Sequence, residues 1–342
     1  MMRNFKARAV RLAGPLGGYR ACRFLTRSTP KILMYHRFSR REQPGFVHHE
    51  AFERQVAYLK NHFNLITIGD LIAAYQESGC FPGNSVVITV DDGYRDFYDI
   101  AYPILKKHDA TATFYVTTRF VEGDFWLWPD SIKYILEHSD NIDLNGLLDG
   151  EGFQEKRLTK SSRQHLWERM VNHLLAIDEE EKKKWLDAFF LKQDIPLPVE
   201  PAEEYRAVNW QQLKDMAANN IEVGAHTQNH PSLGRLKEGE IVREVIGSVD
   251  IIEKAMGCKP VSFCFPNGQP SDYTETVKKY VKDAGCLSAV TAFYDKYIVD
   301  DLFEIRRFNA SDDWQSFIKS ANGVEALAAR LVGSNNIMQA CS

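Results

Sequence analysis

The chain has 342 residues, 44% hydrophobic, 26% charged and 12% aromatic. These proportions support a sizeable core and exclude a disordered, collagen-like or disulfide-scaffold protein. Lysine and arginine number 42 against 46 aspartates and glutamates, a net charge of −4, so nothing global attracts nucleic acid and no such partner is expected.

Residues 1–30 form a basic arm with no acidic residue before Glu42. Arg8, Arg11, Arg20 and Arg23 interrupt the apolar run that a signal peptide needs, and no segment approaches the roughly 18 consecutive apolar residues of a membrane span. A cytoplasmic location is therefore expected. Phe5, Val10, Leu12 and Phe24 could rest the arm peripherally against the inner face of an anionic bilayer; a plain solvated arm is the alternative. The cysteines at 22, 80, 258, 264, 286 and 341 lack CxxC spacing, which predicts reduced thiols rather than a zinc ribbon or a disulfide framework.

From Lys31 short apolar runs alternate with amphipathic stretches: ILMY, then VVITV at Val86–Val90, then ATFYV at Ala112–Val116, each separated by a helical pattern. The alternation resumes with EVGAHT, VSFCF, LSAVT and EIRRF. Such β-branched and aromatic runs between periodic helices indicate parallel strands buried on both faces, hence an α/β barrel or open sheet. Residues at about 140–205 interrupt the pattern, rich in Lys and Glu and closing on the proline-bearing IPLPVEPAEE. They predict a helical insertion and an extended connector. The expected organisation is an arm at 1–30, a catalytic domain at 31–310 and a helical tail at 311–342.

Two places carry chemistry. The strand ending at Val90 runs into Asp91-Asp92-Gly93, and the ends of parallel strands are where α/β folds gather function; a helix cap or turn is the duller alternative. The strand ending at Ala225 runs into His226-Thr227-Gln228-Asn229-His230. Two histidines four apart lie on one face of a helical turn and can meet one metal ion. Together they supply a carboxylate and two imidazoles at one barrel mouth, a donor set that leaves coordination positions open for catalysis.

ITVDDGYRD, GAHTQNH and FCFPNG together resemble the polysaccharide deacetylase family, the NodB-homology or carbohydrate esterase family 4 domain, over about residues 31–310. The resemblance implies a distorted (β/α) barrel, Asp91 as catalytic base, and Asp92, His226 and His230 as ligands of a divalent metal. Zinc is the default from ligand type, with cobalt and nickel also able to bind such sites. The implied substrate is an N-acetylated sugar in a glycan, glycolipid or carrier-linked precursor: the ion polarises the acetamide carbonyl and acidifies water, and the base takes its proton.

Two departures stand out. The family's R-x-P-Y-G motif is matched by Phe263 to Gly268, with Cys264 at the arginine position. Arg307, which fits the R-(I/F) segment of a subgroup, is expected to hold Asp91 instead; Arg306, or neither, is the alternative. The late L-x-H motif is missing, since no histidine follows His230. ILMYH, ending in His36, resembles the (L/V)xYH segment of the subgroup with permuted motifs, where this histidine is the general acid. Pro266 and Asn267 are expected beside the acetyl pocket by the same resemblance. Trp128 and Trp210 could stack on sugar rings, core packing being the blander role. An O-acetyl esterase and a non-catalytic glycan-binding barrel remain the rival functions.

Overall fold

The computed structural model describes residues 17–147, 159–295, 299 and 301–327. Of the basic arm, residues 1–16 lie outside this described part, as does the tail from 328 onward. The strands are β1 (Lys31–Tyr35), β2 (Phe38–Ser39), β3 (Val47–His48), β4 (Asn64–Leu65), β5 (Ser85–Val90), β6 (Ala112–Val116), β7 (Ile221–Ala225), β8 (Ser262–Cys264), β9 (Ser288–Val290) and β10 (Phe308–Asn309). Every residue of β1, β5, β6, β8 and β9 is buried, because helices cover one face and the barrel interior the other.

The main sheet is parallel throughout, in the order β10-β1-β5-β6-β7-β8-β9, with β4 added beside the start of β5. Its two edges are joined by the segment at 302–309. Ala289 donates its N–H to the Leu302 carbonyl at 2.8 Å and Thr291 to that of Ile305 at 2.9 Å, while Phe308 of β10 pairs with Leu33 of β1. The result is the distorted (β/α) barrel expected from the sequence. Its helices are delimited by local chemistry. Thr67 and Asp70 form a reciprocal cap at the start of the helix Ile68–Ser78, and Asn209 and Gln212 do the same for Trp210–Ala217.

Strand register positions the mouth. Tyr35 is paired with Val90, so His36 and Asp91 leave neighbouring strands side by side. Val116 and Phe263 both flank Ala225, which brings His226 out next to Cys264.

The inserted helices Lys160–Ala176 and Glu179–Lys192 form a small core of their own, where Leu166, Met170, Leu174, Trp185 and Phe189 meet Ile132, Ile135 and Leu136. The helix Trp128–His138, which precedes the stretch singled out by composition, belongs to this cluster because its apolar face points away from the barrel core. At the other end, the helix Trp314–Ala321 packs Phe317 and Ile318 onto the barrel. Cys22, Cys258, Cys264 and Cys286 are free thiols, whereas Cys80 is disulfide-bonded, so reduced thiols throughout do not hold.

Candidate active site

Asp91 leaves β5 at the barrel mouth and is buried. Arg307 meets it from across the barrel in a two-pronged contact: Nη1 donates to Oδ1 and Nη2 to Oδ2, each at 2.7 Å. The guanidinium is itself held. Nε donates to the Thr291 carbonyl at 2.6 Å and Nη1 also to Thr89 Oγ1 at 3.0 Å. Burial pushes the Asp91 carboxyl up, but the charge and hydrogen bonds of Arg307, aided by His36 and His226, bring it below its ordinary value. Asp91 is thus a carboxylate under ordinary conditions. Arg306 points elsewhere, pairing with Asp295 at 3.3 Å and Glu304 at 3.2 Å.

Cys264 sits where the family pattern carries arginine. Its thiol is fully buried, 3.2 Å from Arg307 Nη2 and 3.5 Å from Asp91 Oδ2. Burial and the charges of Asp91 and Asp92 push it well above the usual thiol range, against the pull of Arg307. It is a neutral spacer that leaves room for the arginine arriving from the far strand. His36 completes this side, with Nε2 3.7 Å from Asp91 Oδ2 and its side chain 41% exposed, which leaves it open to the solvent side of the mouth.

The second group is built on unusual backbone. Asp92, Thr227 and His230 have φ of 78°, 66° and 57°, left-handed values that non-glycine residues adopt only where their surroundings hold them. The HTQNH segment is therefore a loop and not the helical turn that the four-residue spacing suggested. Glu244, on the helix Glu238–Met256, holds it by accepting the Gln228 and Asn229 N–H groups, each at 2.9 Å, and the Asn229 side-chain amide at 2.7 Å. The left-handed turns aim both imidazoles at one carboxylate: Asp92 Oδ1 lies 3.4 Å from His226 Nε2 and 3.3 Å from His230 Nε2. Burial raises the Asp92 carboxyl, and the two imidazoles more than offset this, taking it well below the carboxylate range.

These three donors fit a divalent cation. Their ligand atoms all lie within 4.8 Å of one another. The carbonyl of Cys264 accepts a hydrogen bond from His226 Nδ1 at 2.7 Å, so the lone pair of Nε2 faces Asp92, the arrangement that orients a metal-ligating histidine. A second trio of Asp91, His226 and Cys264 is equally close. It cannot serve as well, because the Arg307 charge already occupies Asp91 and lies against Cys264, and the His226 Nδ1 is committed to a carbonyl.

Among the other residues singled out in the sequence, Pro266 and Asn267 follow β8 beside Cys264. Asn267 is left-handed, with φ of 57°, and its Nδ2 is a buried donor without a partner. Trp128 packs in the insertion cluster with Lys182 Nζ 4.9 Å from its ring centre, and Trp210 packs on the barrel core. Neither is drawn into the hydrogen-bonded cluster. Sequence reasoning missed a buried layer behind the site. Arg37, next to His36, pairs with Asp96 at 2.6 Å and lies 3.7 Å from the Tyr94 ring centre, while the Tyr94 hydroxyl donates to Asp130 at 2.6 Å. Its one signal was position, Arg37 following His36 and Asp96 standing four residues after Asp92.

Comparison with known proteins places this geometry in context. Residues 78–288 match the family described as polysaccharide deacetylase. The poly-β-1,6-N-acetyl-D-glucosamine N-deacetylase of Staphylococcus epidermidis (strain ATCC 35984) is 27% identical over 192 residues, 51% of this chain and 59% of that protein. The enzyme of the same name from Staphylococcus aureus (strain MSSA476) is 38% identical over 76 residues, 22% of this chain and 26% of that protein. The match thus spans less than two thirds of either relative. Among solved structures, the Streptococcus pyogenes deacetylase PplD in complex with acetate superposes with a TM-score of 0.55 at 18% identity, covering 87% of this chain and 96% of that one. IcaB from Ammonifex degensii gives 0.55 at 17%, covering 86% and 97%. At these identities the likeness shows a shared fold.

Proposed function

Since the chain belongs to the polysaccharide deacetylase family, we propose that it is a metal-dependent hydrolase that removes the acetyl group from N-acetylglucosamine units of a β-1,6-linked glycan, the substrate named for its staphylococcal relatives. The observation that carries the proposal is the pairing of a buried, arginine-held carboxylate with an adjacent trio of one carboxylate and two imidazoles. A binding-only barrel has no need of a base beside a metal ligand.

Asp92, His226 and His230 would hold the ion, which when bound polarises the acetamide carbonyl and acidifies water. Zinc suits two imidazoles and a carboxylate, with cobalt and nickel as the alternatives. Asp91, kept ionised by Arg307, takes the proton of the attacking water. His36, at 3.7 Å from Asp91 and open to solvent, protonates the departing amine. The unpaired Asn267 Nδ2, beside Pro266, is available to the acyl oxygen. Trp128 and Trp210 offer apolar faces to a sugar. At the other end of the chain, Phe24 and Leu25 are exposed beside Arg20, Arg23 and Arg27, which supports peripheral contact with an anionic membrane. Among the described residues no helix is long and apolar enough to cross one.

An O-acetyl esterase would use the same groups. The test is acetate release by zinc-loaded protein from β-1,6-linked N-acetylglucosamine oligomers and from an O-acetylated xylan, with and without chelator. Chelator-sensitive release from the amide is expected. Release from the ester alone would make the protein an esterase, and zinc binding without release from either would make it a binding module.

A further inference from the structure

The inserted helices and the helix Trp128–His138 packed against them touch the mouth at two corresponding places. The loop carrying His230 continues into Ser232, whose N–H donates to Glu179 Oε1 at 2.8 Å, at the first residue of the helix Glu179–Lys192. Three residues on, Arg235 Nη1 donates to the carbonyls of Ala176 and Ile177, at 2.6 and 3.0 Å, at the end of the preceding inserted helix. The loop carrying Asp92 continues into Tyr94, whose hydroxyl donates to Asp130 at 2.6 Å, in the first turn of the helix Trp128–His138. The Ser232 and Tyr94 contacts are each made two residues beyond a residue of the metal-binding trio, and both of those residues, His230 and Asp92, are left-handed. Glu179 is itself pinned: the buried Lys182 donates to its Oε1 at 2.6 Å and lies over the Trp128 ring. The two contacts therefore belong to one rigid cluster.

We propose that this helical cluster is a clamp on the metal-binding trio, with Glu179 and Tyr94–Asp130 as positioning residues that hold the His230 and Asp92 loops at the spacing a cation requires. The proposal rests on the reading of Asp92, His226 and His230 as a metal site. A left-handed non-glycine residue is strained and persists only where neighbouring contacts over-determine it. Glu244 does this for the middle of the HTQNH loop, and the clamp does it beyond His230. Asp272 extends the hold, accepting from Ser232 Oγ at 2.8 Å and from Gln269 N at 2.9 Å, so that the His230 loop and the Asn267 loop are set relative to one another.

The test is the affinity of the metal-free full chain for Zn2+ by competition with a chromophoric chelator, well below the melting temperature. Glu179→Met keeps the side chain's length but removes the acceptor of the Ser232 N–H, and Tyr94→Phe removes one hydroxyl. Each is expected to weaken zinc binding roughly ten-fold, the scale of losses when groups that orient metal ligands are removed. Glu180→Gln, on the exposed face of the same helix, is expected to bind as wild type. Wild-type affinity in Glu179→Met or in Tyr94→Phe would overturn the clamp while leaving the metal site intact. If the wild type binds no zinc that His226→Ala abolishes, the metal-site reading fails and the clamp with it.

Discussion

The two adjacent carboxylates at the mouth live in opposite surroundings. Asp91 has a complete set of partners within the protein: Arg307 covers both of its oxygens, and Thr89 and Thr291 hold the arginine. Among the described residues, Asp92 Oδ1 faces the two imidazole nitrogens of His226 and His230 and no arginine or lysine, a donor set that a cation would complete. Consecutive residues of one loop can therefore become one carboxylate satisfied within the protein and one left open, by which barrel strand each one faces. The left-handed φ of Asp92 is what turns the second away from the first.

The largest expected effect comes from breaking the satisfied side. Arg307→Met leaves a buried carboxylate unpaired, and thermal or urea unfolding should show a loss of about 3–5 kcal/mol; a loss below about 1 kcal/mol would mean that Asp91 does not depend on this cation. His36→Ala tests the open edge of the same side. Deacetylation should fall about 10²–10⁴-fold while zinc affinity stays at the wild-type value, and an unchanged rate would put the acid elsewhere.

On the Asp92 side, zinc at one hundred times its dissociation constant should stabilise the fold by about 2.7 kcal/mol. Asp92→Ala should abolish that gain in a thermal-shift series, so a variant still stabilised by zinc would remove Asp92 from the ligand set. The smallest effect is a control far from the mouth. Glu222 on β7 accepts the Gly69 N–H at 2.7 Å and the Thr113 hydroxyl at 3.1 Å. Burial raises its carboxyl to about 7, despite these bonds. Because the raised value means the fold holds the proton more tightly than the unfolded chain, this contribution is whole below the ordinary glutamate range and is lost as pH rises through about 7. Glu222→Gln should flatten the stability profile between pH 5 and pH 8 without altering turnover. An unchanged profile would assign the slope to other groups.

Much of the fold was legible because its strands are buried on both faces and so read as continuous apolar runs. The strand ends then pointed to Asp91, Asp92 and His226, and the register of β1 against β5 brings His36 to Asp91. Arg307 could be singled out only through family resemblance, since nothing local in EIRRF says which arginine turns inward; Arg306 is drawn outward by Asp295 and Glu304. The HTQNH loop was misread as helical because its left-handed residues are imposed by Glu244, sixteen residues from Gln228. The contacts of Glu179 and Asp130 were invisible for the same reason: each joins segments 36 or 53 residues apart, and composition marks such stretches only as solvated helices. The disulfide at Cys80 had no spacing signal at all.

The contrast between the two carboxylates is tested most directly by titrating zinc into the metal-free Asp91→Asn and Asp92→Asn proteins and assaying acetate release from the same samples. Asp91→Asn should bind zinc as the wild type does and release almost no acetate, while Asp92→Asn should lose both zinc and activity. Loss of zinc in Asp91→Asn with retention in Asp92→Asn would reverse the two roles and contradict the division of the site proposed for this protein.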